Sequence, residues 1–248
     1  MRALPPLPDW CSLEHQVAEI LTEQEIHGWY FDESKGQQLE SHLRREMEET
    51  IAILRKQFPF IGGKMFTPKR NNASQGYIEG AELQRLVEFN PTSRDHIAWI
   101  LKHRLNITLT QTTKTGKIII DEITLKEISN PFCKLCAKAL DLKKKLGMIS
   151  QGVNAWLRLC TNSRIHHHCS VSTNTFRCAH RKPNVAQSPA EKEFRELFTA
   201  SPGNIMVGAD LSGIELRMLA HYLGRYDGGR YADILLNDDI HQVNADKI

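Results

Sequence analysis

The chain is 248 residues long, with 41% hydrophobic residues, 25% charged residues and a formal net charge of +3. That length buries a full core and allows two domains or subdomains. No window approaches roughly eighteen uninterrupted apolar residues, so no membrane span is expected, and the opening MRALPPLPDW lacks the apolar core of a signal peptide, which argues for a cytoplasmic chain.

The small net charge hides a segregation. Residues 1–50 hold 4 Lys/Arg against 11 Asp/Glu, residues 51–182 hold 22 against 8, and residues 183–248 hold 6 against 10. A basic middle beside an acidic end suits a chain in which one part tracks a phosphate backbone and another gathers cations. A solvated basic surface without a partner is the plainer alternative.

In chain order, Ser12 is expected to open a helix with an apolar stripe at Leu13, Val17, Ile20 and Leu21, stopped by Gly28. After WYFD, with Asp32 or Ser34 as cap, a longer helix carries Leu39, Leu43, Met47, Thr50/Ile51, Leu54 and Phe58 in steps of three and four. Pro59 to Gly76 is rich in glycine, proline and basic residues and is expected to be a basic loop. Ser93 should cap a helix burying Ile97, Ile100 and Leu101. ITLTQTTKTGKIII is expected as two strands joined at Lys114-Thr115-Gly116, and Asp121 begins a short helix. A further helix is apolar at Leu135, Leu140, Leu142, Leu146 and Ile149, with Lys134, Lys138 and Lys143 to Lys145 around it. After Trp156 the pattern changes to short strands and turns.

Three features invite a chemical reading. Ile205 to Ala209 is expected to be a short buried strand ending on Asp210, followed by a helix. Either Asp210 or Ser212 caps that helix, or Asp210 is a rigidly held metal ligand. Cys133-Lys134-Leu135-Cys136 is a lone C-x-x-C with no second pair at zinc spacing, so no metal is expected there. HHHC, His166 to Cys169, has Cys178 and His180 nearby. Consecutive histidines on a strand point to different sides, so the three cannot converge on one ion.

Several motifs occur in an order that resembles family A DNA polymerases, the DNA polymerase I type, and more closely the replicative polymerases of short-tailed phages. VGADLSGIELRMLAHY is similar to the first palm motif of that family. RIHHHCSVSTNTFRCAHRKPNVAQSP resembles the preceding palm segment, and GRYADILLNDDIHQVNA the Asp-Ile-His stretch that follows it. FNPTSRDHI, DEITL and KKKLGMISQGVNAWLR are similar to thumb elements. The resemblance implies an α/β (α+β) fold: a lead-in helix over 1–35, a helical, DNA-binding thumb over 36–155, and the first part of a palm over 156–248 with a mostly antiparallel sheet. By the same resemblance Asp210 is the catalytic carboxylate holding two Mg2+ ions. Glu215 excludes a 2′-hydroxyl, and His241 contacts the phosphates of the incoming dNTP. Arg177 touches the minor-groove side of the primer terminus, Asn184 and Gln187 lie near template and primer, and Lys143, Lys144 and Lys145 belong to the DNA-binding thumb. Arg217 is expected to be structural. Primer–template DNA and dNTPs are the implied partners, with a processivity factor left open.

The pattern also departs from the family. The usual Thr-Gly-Arg reads Thr175-Phe176-Arg177, and the glycine after Ile-His is replaced by His167. The family's fingers helix and its second palm carboxylate, in a His-Asp-Glu motif, are not in the sequence. A remainder carrying them is therefore an expected partner, polymerisation by this chain alone is not expected, and exposed apolar surface with poor solubility is. A non-catalytic DNA-binding module is the second reading. A metal-dependent nuclease using Asp238-Asp239 is a third.

Overall fold

A computed structural model describes residues 8–109, 111–112, 116, 118–175 and 177–246. Two units result, unit 1 (Met1–Ser201) and unit 2 (Pro202–Ile248). Unit 1 begins with α1 (Asp9–His27), which starts after Pro8 rather than at Ser12. Ser12 instead accepts a side-chain hydrogen bond from Gln16 at 3.3 Å. Gly28 ends the helix with φ 65°, as expected of a residue without a Cβ. The expected stripe is not buried: Leu13 and Ile20 stay exposed, and no residue of α1 is buried.

The chain then passes through β1 (Trp29–Tyr30) into α2 (Glu33–Gln57), where the Asp32 carboxylate accepts from the Lys35 amide at 3.0 Å. The long stripe of α2 is buried at Leu39, Leu43, Thr50 and Leu54. Pro59 to Gly76 is not wholly a loop, because β2 (Phe60–Phe66) pairs antiparallel with β3 (Leu83–Glu88), with an irregularity between Gly62 and Met65. The glycines that suggested a loop serve the ladder. A Cβ on Gly62 would meet the Gln84 side chain at 2.6 Å, and one on Gly63 would meet Val87 Cγ2 at 2.7 Å.

α3 (Arg94–His103) follows its Ser93 cap and buries Ile97, Ile100 and Leu101. Of the expected hairpin after it, Thr112 and Ile118 form an isolated antiparallel bridge. Its turn at Lys114-Thr115 lies outside the described residues. α4 (Glu122–Glu127) is capped by Asp121, which accepts from the Thr124 amide at 2.8 Å. α5 (Pro131–Leu146) is capped by Asn130 and runs into a π-turn, Gly147–Gln151. α6 (Trp156–Leu159), β4 (Cys160–Thr161), β5 (Arg164–Ile165), β6 (His168–Ser170), β7 (Ala179–Arg181) and α7 (Lys192–Arg195) complete the elements of unit 1. The strand order β1-β5-β4 forms one small sheet, and β6-β7 another. Every strand pair among the described residues is antiparallel, which agrees with the expected α/β (α+β) class.

Two apolar clusters hold unit 1 together, and α2 and α5 serve both. One gathers Leu54, Phe89, Ile97, Ile100, Leu125 and Phe132. The other is built on Phe31, Leu43, Leu146, Trp156, Ile165 and Phe194. In the second, the Trp156 ring meets Phe31 and Phe194 at 6.2 Å and Phe198 at 4.9 Å, all edge to face. At 25 residues α2 is long enough to reach both clusters, spanning about 37 Å at its rise per residue.

Unit 2 contains α8 (Ile214–Asp227), α9 (Arg230–Asn237) and α10 (Ile240–Ala245). The buried strand expected at Ile205 to Ala209 is not formed. The segment is irregular, and Ile205 and Val207 are 85% and 82% exposed. A strand needs a neighbour to satisfy its amides and carbonyls, and no described segment pairs with this one. Nor do Asp210 or Ser212 cap α8, whose N-cap is Gly213 at φ 57° with no side-chain cap bond. Ser212 accepts from Arg217 Nε through its carbonyl at 2.8 Å, which gives Arg217 a role in shaping that turn.

Candidate nucleic-acid and nucleotide site

On α5 the apolar positions Phe132, Cys133, Cys136, Ala137, Ala139, Leu142 and Leu146 turn inward. Helical periodicity therefore turns the lysines outward. The Cys133 and Cys136 thiols lie in the first cluster, where burial pushes both above the ordinary thiol value, Cys136 the further. Lys138 pairs with Glu46 at 2.6 Å, and that bond holds the Glu46 carboxyl below its usual range. The three lysines at the end of the helix differ. Lys143 is exposed and its Nζ donates to the Thr92 carbonyl at 3.3 Å, just before α3. Lys144 is exposed and makes no hydrogen bond or ion pair among the described residues. Lys145 is 15% exposed and sits between Asp141 at 2.9 Å and Glu191 at 2.7 Å. Burial alone would pull its ammonium down. Hydrogen bonds to Glu191 and Asp141 outweigh that and hold it above the ordinary lysine value. A groove of about 1230 Å³ runs past Lys143 and Lys144, with Arg94 adding a third cation and Asp95, Asp121 and Glu122 adding acids.

The segment from Arg164 to Gln187 folds onto the end of α1. Arg164 donates to the carbonyls of His27 and Gly28 at 3.1 and 3.3 Å and to Ser201 Oγ at 2.7 Å. Glu25 is the other anchor: its carboxylate accepts from the Cys169 amide at 2.6 Å and pairs with His168 at 2.8 Å. The Cys169 amide, first of all, holds the Glu25 carboxyl below its usual range. Between β6 and β7, Arg177 is exposed, and its carbonyl accepts from Thr173 Oγ1 at 2.9 Å. Phe176, which replaces the expected glycine, lies outside the described residues. Asn184 and Gln187 stand at either end of one exposed 3-10 turn just after β7, the Gln187 amide donating to the Asn184 carbonyl at 3.2 Å. Unit 1 thus carries Arg177, Asn184 and Gln187 on a single hairpin and the turn that follows it. His167 and Cys169 of the same hairpin are buried. Burial pulls the His167 imidazole down, and burial together with the neighbouring Cys178 thiol pushes Cys169 up to about 11.

In unit 2, Asp210 is exposed at the end of the irregular segment, and Glu215 is exposed in the first turn of α8. There the helix dipole favours a negative charge. His241 lies on α10, with its side chain outside the described residues. Asp239 accepts weakly from the Gln242 amide at 3.4 Å, a cap to α10. Among the described residues no cluster of three potential metal ligands contains Asp210, Asp238 or Asp239. The hard carboxylate oxygen of Asp210 does suit Mg2+, which takes one or two carboxylates and completes its shell with water and substrate phosphates.

Comparison with known proteins accounts for the motif order. A family model for DNA polymerase family A matches residues 66–248. The DNA-directed DNA polymerases of Escherichia phage T7 and Enterobacteria phage T3 are each 30% identical over 94% of this chain. The chain spans 42% of the length of those two relatives. A DNA polymerase I of Chloroflexus aurantiacus is 26% identical across 100% of the chain and 24% of its own length. Among solved structures, the POL domain of Pol1 from M. smegmatis, in complex with DNA primer-template and dNTP, matches with a TM-score of 0.62. At 21% identity, over 89% of this chain and 35% of that one, it is a likeness of fold. No described helix is long and apolar enough to cross a membrane. A family match from residue 66 onward, with the phage polymerases aligned over nearly the whole chain, makes this chain a member of DNA polymerase family A.

Proposed function

We propose that the chain forms the primer–template-binding part of a DNA-directed DNA polymerase and supplies one of its catalytic carboxylates. The observation that carries this reading is the family match over residues 66–248, which takes in Arg177, Asn184, Gln187, Asp210, Glu215 and His241 together. Residues 36–155 act as the thumb and 156–248 as the beginning of the palm, with 1–35 leading in. These are functional assignments, and the last boundary differs from the division between the two units at Ser201 and Pro202.

Each residue has a task its chemistry suits. Lys143 and Lys144 neutralise backbone phosphates, whereas Lys145 keeps α5 and α7 together. Arg177, aided by Asn184 and Gln187, donates to minor-groove acceptors. Because every base pair carries such acceptors, a donor there senses pair geometry with little regard to sequence. Glu215 crowds a 2′-hydroxyl, and His241 contacts the dNTP phosphates. Asp210 would hold magnesium, which when bound stabilises charge on the attacking and leaving oxygens during phosphoryl transfer. The complete reaction further needs fingers and a second carboxylate beside Asp210.

A second reading, a DNA-binding module without chemistry, is favoured by Phe176 at a family glycine. Both readings expect duplex binding. Fluorescence anisotropy with a primer–template duplex should show binding that weakens steeply with salt and weakens further in Arg177→Ala. Binding that ignores both salt and Arg177 would remove either reading.

A further inference from the structure

The β6–β7 hairpin pairs Cys169 with His180. Strand alternation then places His167 and Cys169 on one face, and sets Cys178 and His180 against them on the same face of the facing strand. His166 and His168 go elsewhere, to the Glu25 carbonyl at 2.9 Å and the Glu25 carboxylate at 2.8 Å. On the shared face the ligand atoms of His167, Cys169 and His180 all lie within 4.8 Å of one another. His167 is 2% exposed and Cys169 5%. Neither ring nitrogen of His167 has a hydrogen-bond partner, and buried Nδ1 of His180 has none either. Cys178 is exposed and lies outside that group of three; its place two residues before His180 puts it on the same face, at the open side of the cluster.

A core histidine is ordinarily satisfied by a carbonyl, a hydroxyl or a water. Here three buried imidazole nitrogens have no protein partner among the described residues and lie beside a buried thiol. We propose that the hairpin binds one zinc ion through His167, Cys169 and His180, with Cys178 as the fourth ligand. Two imidazoles and two thiolates are the donor set zinc takes in closed, four-coordinate structural sites, whereas magnesium and calcium require oxygen. Metal–ligand bonds of about 2.0–2.3 Å put tetrahedral ligand atoms roughly 3.4–3.8 Å apart, so the cluster closes with side-chain movements of about 1 Å. Binding releases two protons, one from each thiol, and leaves no open coordination position. The ion has a structural role: it staples the two strands that flank Arg177 and holds the approach to Asn184 and Gln187. The site is separate from Asp210 in both residues and donor chemistry, and it stands whether or not the chain takes part in DNA synthesis.

The test uses the full chain, purified under reducing conditions without chelator. Elemental analysis should find about one zinc per chain, the single four-ligand site. Replacement by cobalt(II) should give thiolate-to-metal charge-transfer bands and the intense visible bands of tetrahedral coordination. Cys169→Ser and His167→Gln should lose both, while Cys11→Ser, outside the cluster, keeps them. Cys178→Ser tests the fourth ligand without disturbing a buried side chain, and should cut the charge-transfer band to roughly half as one thiolate of two is lost. A folded, reduced wild-type chain that takes up neither metal would overturn the proposal. So would metal retained at full stoichiometry in both Cys169→Ser and His167→Gln, or a Cys169–Cys178 disulfide in the chain as isolated. An unchanged charge-transfer band in Cys178→Ser would overturn the assignment of the fourth ligand.

Discussion

Exchanging Lys144 or Lys145 for glutamine, one at a time, should produce opposite effects although the two are neighbours. The Lys145 ammonium is bonded at 2.9 and 2.7 Å to carboxylates whose side chains are 32% and 47% exposed. Solvent screens both partners. The Asp141 pair, a helix i,i+4 contact, is worth about 0.3–0.5 kcal/mol, and the less local Glu191 pair is worth up to about 1 kcal/mol. Loss of the ammonium's contact with the Phe194 ring, 5.7 Å from its centroid, adds a few tenths. Lys145→Gln should therefore lower stability by about 1–2 kcal/mol, read from the urea midpoint. It should leave the salt dependence of duplex binding unchanged, because that charge is already neutralised within the protein. Lys144→Gln should leave stability within about 0.5 kcal/mol and reduce the salt slope by about 1. If Lys145→Gln shifts the salt slope and not the midpoint, its ammonium faces DNA and the internal pairing is wrong.

Other predictions follow from the same structure. The Lys145 value is raised on folding, so its contribution is complete below the ordinary lysine value of about 10.4 and fades as pH rises through the folded one. Glu191 is lowered, chiefly by its hydrogen bond to Lys145, so its contribution is present above about 4.3 and fades as pH falls through the folded value. The stability gap between wild type and Lys145→Gln should thus be flat near neutrality and shrink at both extremes, which urea melts at several pH values will show; a gap that changes across neutral pH would contradict the pairing. Phe194→Ala removes a fully buried ring from beside Trp156 and should cost about 3–5 kcal/mol, whereas a loss under about 1 kcal/mol would mean the second cluster is not packed as described. Asp32→Ala removes the cap of α2 and should cost about 0.5–2 kcal/mol in the same assay; no loss would mean that the Lys35 amide finds another acceptor.

Local signals were readable wherever local physics decides. The caps at Asp32, Ser93 and Asp121, the stop at Gly28, and the buried face of α2 all lie where side-chain chemistry and a 3.6-residue period put them. What depends on a distant partner was not readable. The β2–β3 hairpin was hidden behind Gly62, Gly63 and the flanking prolines, because the pairing that makes those glycines useful is set by Gln84 and Val87, more than twenty residues on. Ile205 to Ala209 has a strand's composition, yet composition does not provide the neighbour a strand requires. The same holds for the functional residues. Alternation rightly separated the three histidines, but only the register of Cys169 against His180 shows that one of them, His167, is gathered with Cys169 and His180. The lysine triplet read as uniform because the carboxylates that engage Lys145 include Glu191, far along the chain.

The most direct measurement is single-nucleotide incorporation on a primer–template duplex. The chain would be combined with a separately made segment bearing the family's fingers and second palm carboxylate, in the presence of magnesium and dNTPs. Neither part alone should extend the primer, the combination should, and Asp210→Ala should abolish extension while leaving fold and duplex binding intact, since its side chain is exposed. Extension that survives Asp210→Ala would contradict its role as the catalytic carboxylate. A combination that forms, binds duplex and still adds no nucleotide would leave the chain a DNA-binding module.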